Sequence, residues 1–152
     1  MLLGVVVLTI EHVGSTSVPG LPAKRIIDLD IVIPREGIPR AIQIFESHGH
    51  ECRGDLGITD RYAFFISEPP FATNTYVIVE GSVALRNHLL VRQVLRESPE
   101  LRREYAVIKR QLAASAADIG EYASSKTEVI QKILKYGGMD DESLCLIRDQ
   151  NK

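Results

Sequence analysis

Apolar and polar positions divide the chain into a first half that reads as strands and a second half that reads as helices. Val5 to Val13 is apolar and β-branched, which predicts a central strand. Gly14 to Lys24 carries Pro19, Gly20 and Pro22 and predicts a loop with one helical turn. Arg25 to Ile33 predicts a second strand, ended by Pro34. Pro39 to His48 predicts a helix, with Pro in its first turn and Gly49 after its end. Arg61 to Ile66 and Thr75 to Glu80 predict strands joined through Ser67 to Asn74 as a loose hairpin.

Three helices follow. Ser82 to Glu97 carries Leu85, Leu89 and the run Val91–Leu95 as its apolar stripe. Ser98-Pro99 is a cap followed by proline at the first helical position, opening Pro99 to Ala114. Asp118 to Tyr136 repeats the helical spacing, and Gly137-Gly138 stops it. Met139 to Lys152 is acidic, then polar, and predicts a loosely held tail after a single domain over 1–138. Strands first and helices later argue an α+β fold: a mixed sheet flanked by helices, with a helical C-terminal half.

Composition narrows the function classes. The 152 residues suit one domain with a core of its own. The 18 Lys and Arg against 20 Asp and Glu leave a net charge of −2, so general nucleic-acid binding is not expected. Any anion site must be a local cluster of bases. Cys52 and Cys145 are too few for a disulfide framework and predict free thiols in the cytoplasm. The apolar start lacks the basic region of a signal peptide, and Glu11 and His12 end it far short of a membrane span.

Val13-Gly14-Ser15, twelve residues, and then Asp28-Leu29-Asp30-Ile31 is the informative stretch. Alternation along a strand puts Asp28 and Asp30 on one face. Two such carboxylates amid apolar neighbours are costly to desolvate unless something positive sits between them. Mg²⁺ does this, and favours carboxylate oxygens together with substrate phosphates. A Gly-Ser turn lets backbone N–H groups and a hydroxyl meet phosphate oxygens. The two halves describe a metal–phosphate site.

Gly14-Ser15 followed by Asp28-x-Asp30 resembles the signature of the DNA-polymerase-β-like nucleotidyltransferase superfamily. The wider string from Ile10 to Leu21, with Ala23-Lys24 and Ile27-Asp28, is similar to the GrpB family (UPF0157) within it. Arg92 and Leu95-Arg96, Tyr105 with Lys109, and Tyr122 with Lys126 extend the resemblance, which runs from Thr9 to Tyr136. That family is sometimes fused to dephospho-CoA kinase. The resemblance implies the nucleotidyltransferase fold and Mg²⁺-dependent transfer of a nucleoside monophosphate from a nucleoside triphosphate to an unidentified acceptor. Asp28 and Asp30 would hold the metal, with Glu80 as candidate third catalytic carboxylate; Gly14, Ser15, Thr16, Lys24 and Arg25 would meet phosphates. His12, His88, Arg92, Arg96, Lys109 and Lys126 are the candidate substrate contacts.

Departures from the family pattern are plain. Relatives carry a helix ahead of the first strand, and here the strand comes almost at once. Where relatives have histidines in the strand before the Glu-Gly-Ser turn, this chain has Asn74, Thr75 and Tyr76. The arginine motif reads Val91-Arg92-Gln93-Val94-Leu95-Arg96, without the family's acid and aromatic.

Other readings stay open beside these. His12 orients the loop or is structural. Lys24 and Arg25 hold phosphates or pair with the aspartates. His88, Arg92 and Arg96, spaced i, i+4 and i+8, share one helical face that meets a polyanion or solvent. The stems of Lys109 and Lys126 pack on tyrosines four residues earlier or reach a ligand. His48-Gly49-His50-Glu51-Cys52 has no second cluster with which to form a zinc site. The alternative to an enzyme is a non-catalytic module for a nucleotide or phosphorylated metabolite, acting alone or within a larger protein. An intact third carboxylate would favour the enzyme, and two acids among many bases would favour the module.

Overall fold

A computed structural model describes residues 5–21, 26–114 and 119–151, the last stretch without the side chains of 119–123. Its centre is β2 (Ile26–Ile33), whose apolar run pairs on both edges. On one side lies β1 (Thr9–Val13), antiparallel; on the other lies β4 (Phe71–Val79), parallel to β2. β3 (Arg61–Glu68) pairs with β4 antiparallel, so the strand order is β1-β2-β4-β3. Parallel neighbours need a crossover. It contains α1 (Ile38–Ser47) and then β3.

Two expectations about strands change. The apolar Val5–Val13 run is not a central strand: β1 is an edge, and Val6, Leu8 and Ile10 are exposed. Apolarity marked strand character there, but β4, with Thr73, Asn74 and Thr75, won the second place beside β2. The hairpin is tight rather than loose, since Glu68 pairs with Phe71 and only Pro69-Pro70 turn. Proline has no N–H for the ladder, so the break falls on those two residues and their neighbours join the strands.

Alternation sorts the sheet into two faces. Ile33, Val77, Val79 and Phe64 pack with Ile38, Ala41 and Ile44 of α1 in a dry cluster. The opposite face meets α2 (Val83–Glu97), and α3 (Pro99–Ala114) and α4 (Ile119–Tyr136) pack on α2 and on each other. Val32 and Ile78 meet Ala84 and Leu85 there. Val18 and Leu21 join Val94, Leu95, Leu101, Tyr105 and Ile133 in the helical core. Ser98 caps α3 as its sequence position predicts, accepting from Leu101 N at 3.3 Å, and Ser82 proves to be the cap of α2 rather than its first residue, accepting from Leu85 N at 3.2 Å.

The expected loose tail is instead a packed helix, α5 (Asp141–Gln150). Leu144 and Ile147 are buried with Met139 against Leu134 of α4. Asp140 caps it, taking Ser143 N at 2.9 Å, and that hydrogen bond holds the Asp140 carboxyl below its ordinary value. The acidic residues that read as a tail are the helix's N-terminal turn, where negative charge is favourable. No helix among the described residues is long and apolar enough to cross a membrane.

Candidate functional site

The strand register writes the site as rows across one face. Val13, Asp28, Asn74 and Phe65 stand opposite one another, and Glu11, Asp30, Tyr76 and Ala63 form the next row. Asp28 and Asp30 therefore share a face, as alternation requires. Asp28 Oδ1 accepts from Asn74 Nδ2 at 3.0 Å. Its other oxygen lies against the Gly14 backbone, so closely that a Cβ at Gly14 would overlap Oδ2 and stand 2.9 Å from Cγ. Gly14 has φ 73 and ψ −172, a conformation open essentially to glycine alone. Only a residue without a side chain lets the turn close onto the carboxylate.

Asp30 is fully buried. His88 Nδ1 of α2 donates to Asp30 Oδ2 at 2.7 Å, and Tyr76 stacks tilted against that imidazole with centroids 5.7 Å apart. Burial pushes the Tyr76 hydroxyl's pKa up; the nearby Arg61 opposes this, and Asp28 and Asp30 add to it. The remaining oxygen of the pair, Asp30 Oδ1, is buried with no hydrogen-bond partner among the described residues.

The Gly14–Ser17 segment forms one 3-10 turn, closed by Ser17 Oγ donating to Gly14 O at 2.6 Å. Cations of the helical layer strap it down. Lys109 Nζ of α3 donates to Ser15 Oγ. Tyr105, one turn earlier, also hydrogen-bonds Ser15; burial pushes its hydroxyl's pKa up and the Ser15 bond partly offsets this. Arg92 Nη1 donates to Glu11 Oε2 at 2.8 Å and to His12 O at 2.9 Å. Arg96 donates twice to Ser17 O, at 3.0 and 2.8 Å. The helical stripe of His88, Arg92 and Arg96 does face the site. Its groups are engaged with Asp30, with Glu11 and His12 O of β1, and with Ser17 O of the turn, which makes them supports of the site's frame.

Other candidates separate from this centre. His12 sits on the opposite alternation from Asp28, bonded through Nε2 to Thr16 Oγ1 at 2.8 Å. Glu80 is misplaced as a third carboxylate. It follows β4 where Val79 pairs with Ile33, its N–H donates to Ile33 O, and its side chain is exposed. That is four residues past Tyr76, or ~13 Å at the strand rise. Lys126 lines a groove with Leu112, Ile130 and Ile147 on the α3–α4–α5 side, away from the acidic pair. Lys24 and Arg25 lie outside the described residues.

Glu11, Asn74, Tyr76 and Tyr105 belong to the site and escaped the sequence reading. Cross-strand pairing was the signal for the first three, and it needs the strand order. Among the described residues no group of three or more His, Cys, Asp or Glu is placed to hold a metal. The pair alone still fits Mg²⁺, which is commonly held by one or two carboxylates plus substrate oxygens and water. An orphaned buried carboxylate oxygen is expensive, and a hard cation is one partner that would satisfy it.

The family model described as GrpB protein matches residues 1–136. This chain belongs to the GrpB family. The UPF0157 protein YqkA of Bacillus subtilis is 34% identical over 133 residues, covering 86% of this chain and 39% of the relative. The UPF0157 protein PA4798 of Pseudomonas aeruginosa is 37% identical over 131 residues, covering 84% of this chain and 54% of the relative. The chain thus spans 39% and 54% of the lengths of these two relatives. The crystal structure of conserved protein GrpB from Enterococcus faecalis matches with a TM-score of 0.69 at 30% identity, over 86% of this chain and 82% of that one.

Proposed function

We propose that this face binds the phosphate chain of a nucleotide or another phosphorylated metabolite through Mg²⁺. Asp28 and Asp30 are the cation's protein ligands, and the Gly14–Ser17 turn meets the phosphates. The observation that carries the reading is Asp30 Oδ1, buried without a partner among the described residues and beside a second carboxylate. Bound Mg²⁺ would neutralise phosphate charge and fix the chain's orientation. The residues themselves do the rest. His88 and Asn74 aim the two carboxylates, Lys109 and Arg96 hold the turn in place, and Arg92 fixes the strand end that leads into it.

Transfer of a nucleoside monophosphate is the second reading, favoured by the direct meeting of Gly14 with Asp28. It would place the chain in the DNA-polymerase-β-like group. Transfer needs a base for the acceptor hydroxyl. The β4 positions beside the pair hold Asn74 and Tyr76, and Glu11 is engaged by Arg92. Binding without turnover therefore stands first.

Calorimetry and thermal shift with nucleoside triphosphates and inorganic tripolyphosphate, with and without Mg²⁺, test the reading. The expected result is Mg²⁺-dependent stabilisation, about 2.7 kcal/mol at one hundred times Kd. It should disappear in Asp28→Asn and in Asp30→Asn. Equal binding by both variants, or none by the wild type with any divalent ion, removes the proposal. Pyrophosphate release from a triphosphate by the wild type would put transfer first.

A further inference from the structure

The row containing Asp28 does not end at Asn74. It continues to Phe65 on the edge strand β3, directly opposite Asn74. Strands lie about 4.8 Å apart, so Phe65 stands roughly 10 Å from Asp28 along the sheet. Phe65 has the same alternation as Arg61 and Ala63, hence the same face as the acidic pair. It is 40% exposed, although Ala63 in the next row is buried. Phe71, the other exposed phenylalanine of the hairpin, falls on the opposite alternation.

The Phe65 ring already carries a planar partner. The Arg53 guanidinium lies over it, 5.4 Å from the centroid. Arg53 is held at the outer edge of β3, its N–H donating to Ala63 O at 2.9 Å, while Ala63 N donates to Gly54 O at 3.0 Å. The same face therefore has a phosphate–metal end at Gly14 and Asp28, and an aromatic–guanidinium end two strands away. A sugar fills the distance between them. Bases stack on aromatic rings and on guanidinium planes alike, because both offer a flat surface.

We infer that the phosphorylated ligand is a nucleotide, and that Phe65 together with Arg53 forms the platform on which its base stacks. The inference rests on the phosphate-binding reading and names the ligand class that reading leaves open. A phosphorylated metabolite without a ring would leave this end of the row idle. Asn74 ties the two ends, since it bonds Asp28 and stands beside Phe65.

The test compares Mg²⁺–ATP with Mg²⁺–tripolyphosphate on the full chain by calorimetry. The wild type should bind ATP more tightly than tripolyphosphate. Phe65→Ala should weaken ATP about tenfold, the scale of one lost stacked base, and leave tripolyphosphate unchanged. Phe65→Tyr keeps the ring and should restore ATP binding. Arg53→Ala should weaken ATP by a smaller factor, again without touching tripolyphosphate. Equal wild-type affinity for the two ligands overturns the platform and leaves the phosphate site standing. So does a Phe65→Ala variant that binds ATP unchanged, or one that loses both ligands equally. Failure of the wild type to bind either ligand overturns the phosphate reading and the platform with it.

Discussion

The two faces of one sheet are built from alternate residues of the same strands, and they do opposite things. Along β2, Ile31 and Ile33 go to the α1 side, where Phe64, Val77 and Val79 complete a dry layer. Asp28 and Asp30 go to the other side, between the apolar contacts of Val32 with Leu85 and those of Val18 with Val94. The first face needs nothing beyond shape. The second places a fully buried carboxylate at its centre and leaves one oxygen unmatched among the described residues. A sheet can carry that burden because the apolar face and the helical core hold the fold, freeing the alternate positions for chemistry.

That contrast breaks most readily on the dry side. Phe64 is 1% exposed and stacks on Phe45 with centroids 4.6 Å apart. Phe64→Ala should cost about 3–5 kcal/mol of unfolding free energy, the cavity scale for a large core aromatic. Denaturant titration measures it. Ligand affinity per folded molecule should stay unchanged, since Phe64 lies on the opposite alternation from the aspartate row. A large loss of affinity without a loss of stability would erase the division of labour between the faces.

Gly14→Ala strikes the polar side. The new Cβ would overlap Asp28 and force an L-residue into a conformation costing about 1–3 kcal/mol. Mg²⁺-dependent phosphate binding should vanish while the helices remain folded, as read by circular dichroism with calorimetry. Retained binding would show that the turn does not approach the ligand.

How much of this was legible beforehand differs by face for a physical reason. Period-2 alternation put Asp28 and Asp30 together, and the cap at Ser98 placed α3. Helical spacing aligned His88, Arg92 and Arg96 on one stripe that does meet the sheet. These are local rules. Their partners are set by strand order, which local pattern does not encode. The long apolar start read as a central strand, yet β4 took that place and brought Asn74 and Tyr76 beside the aspartates. Glu80 failed as a third acid for the same reason: parallel register carries it past the pair. α5 escaped because the acids Asp140 to Glu142 that open it read as solvated chain ahead of its buried Leu144 and Ile147.

Arg92→Ala sharpens the comparison at smaller amplitude. It removes two charge-assisted contacts, to Glu11 and to His12 O, at a pair whose side chains are 20% and 27% exposed. A loss of about 1–2 kcal/mol is expected. Binding should weaken through a looser turn, and Glu11→Gln in the same background should add little if the two act as one unit. Additive losses would mean that Arg92 serves the turn independently of Glu11.

Asp28→Asn should move stability by less than about 1 kcal/mol, because an amide oxygen can still accept from Asn74. Its effect belongs to the ligand: Mg²⁺ dependence should disappear. A destabilisation as large as that of Phe64→Ala would make Asp28 a structural residue and return this face to the same category as the other.

The smallest effect is invisible at neutral pH and appears only in alkali. Burial raises the hydroxyl pKa values of Tyr76 and Tyr105 above the ordinary 10.0, and both stand on the polar side. A buried phenol whose folded pKa exceeds its unfolded one holds its proton more tightly in the native state. Below about pH 10 both states are protonated and the stabilisation is fully present. As pH rises through the folded pKa it is lost, because unfolding then releases a proton. Stability should therefore fall above about pH 10, with a shallower fall in Tyr76→Phe and Tyr105→Phe. Tyr105→Phe also removes the hydrogen bond to Ser15, so it alone should weaken phosphate binding at neutral pH. If Tyr76→Phe weakens that binding equally, the stack of Arg61, Tyr76 and His88 steers Asp30 as strongly as Tyr105 steers the turn.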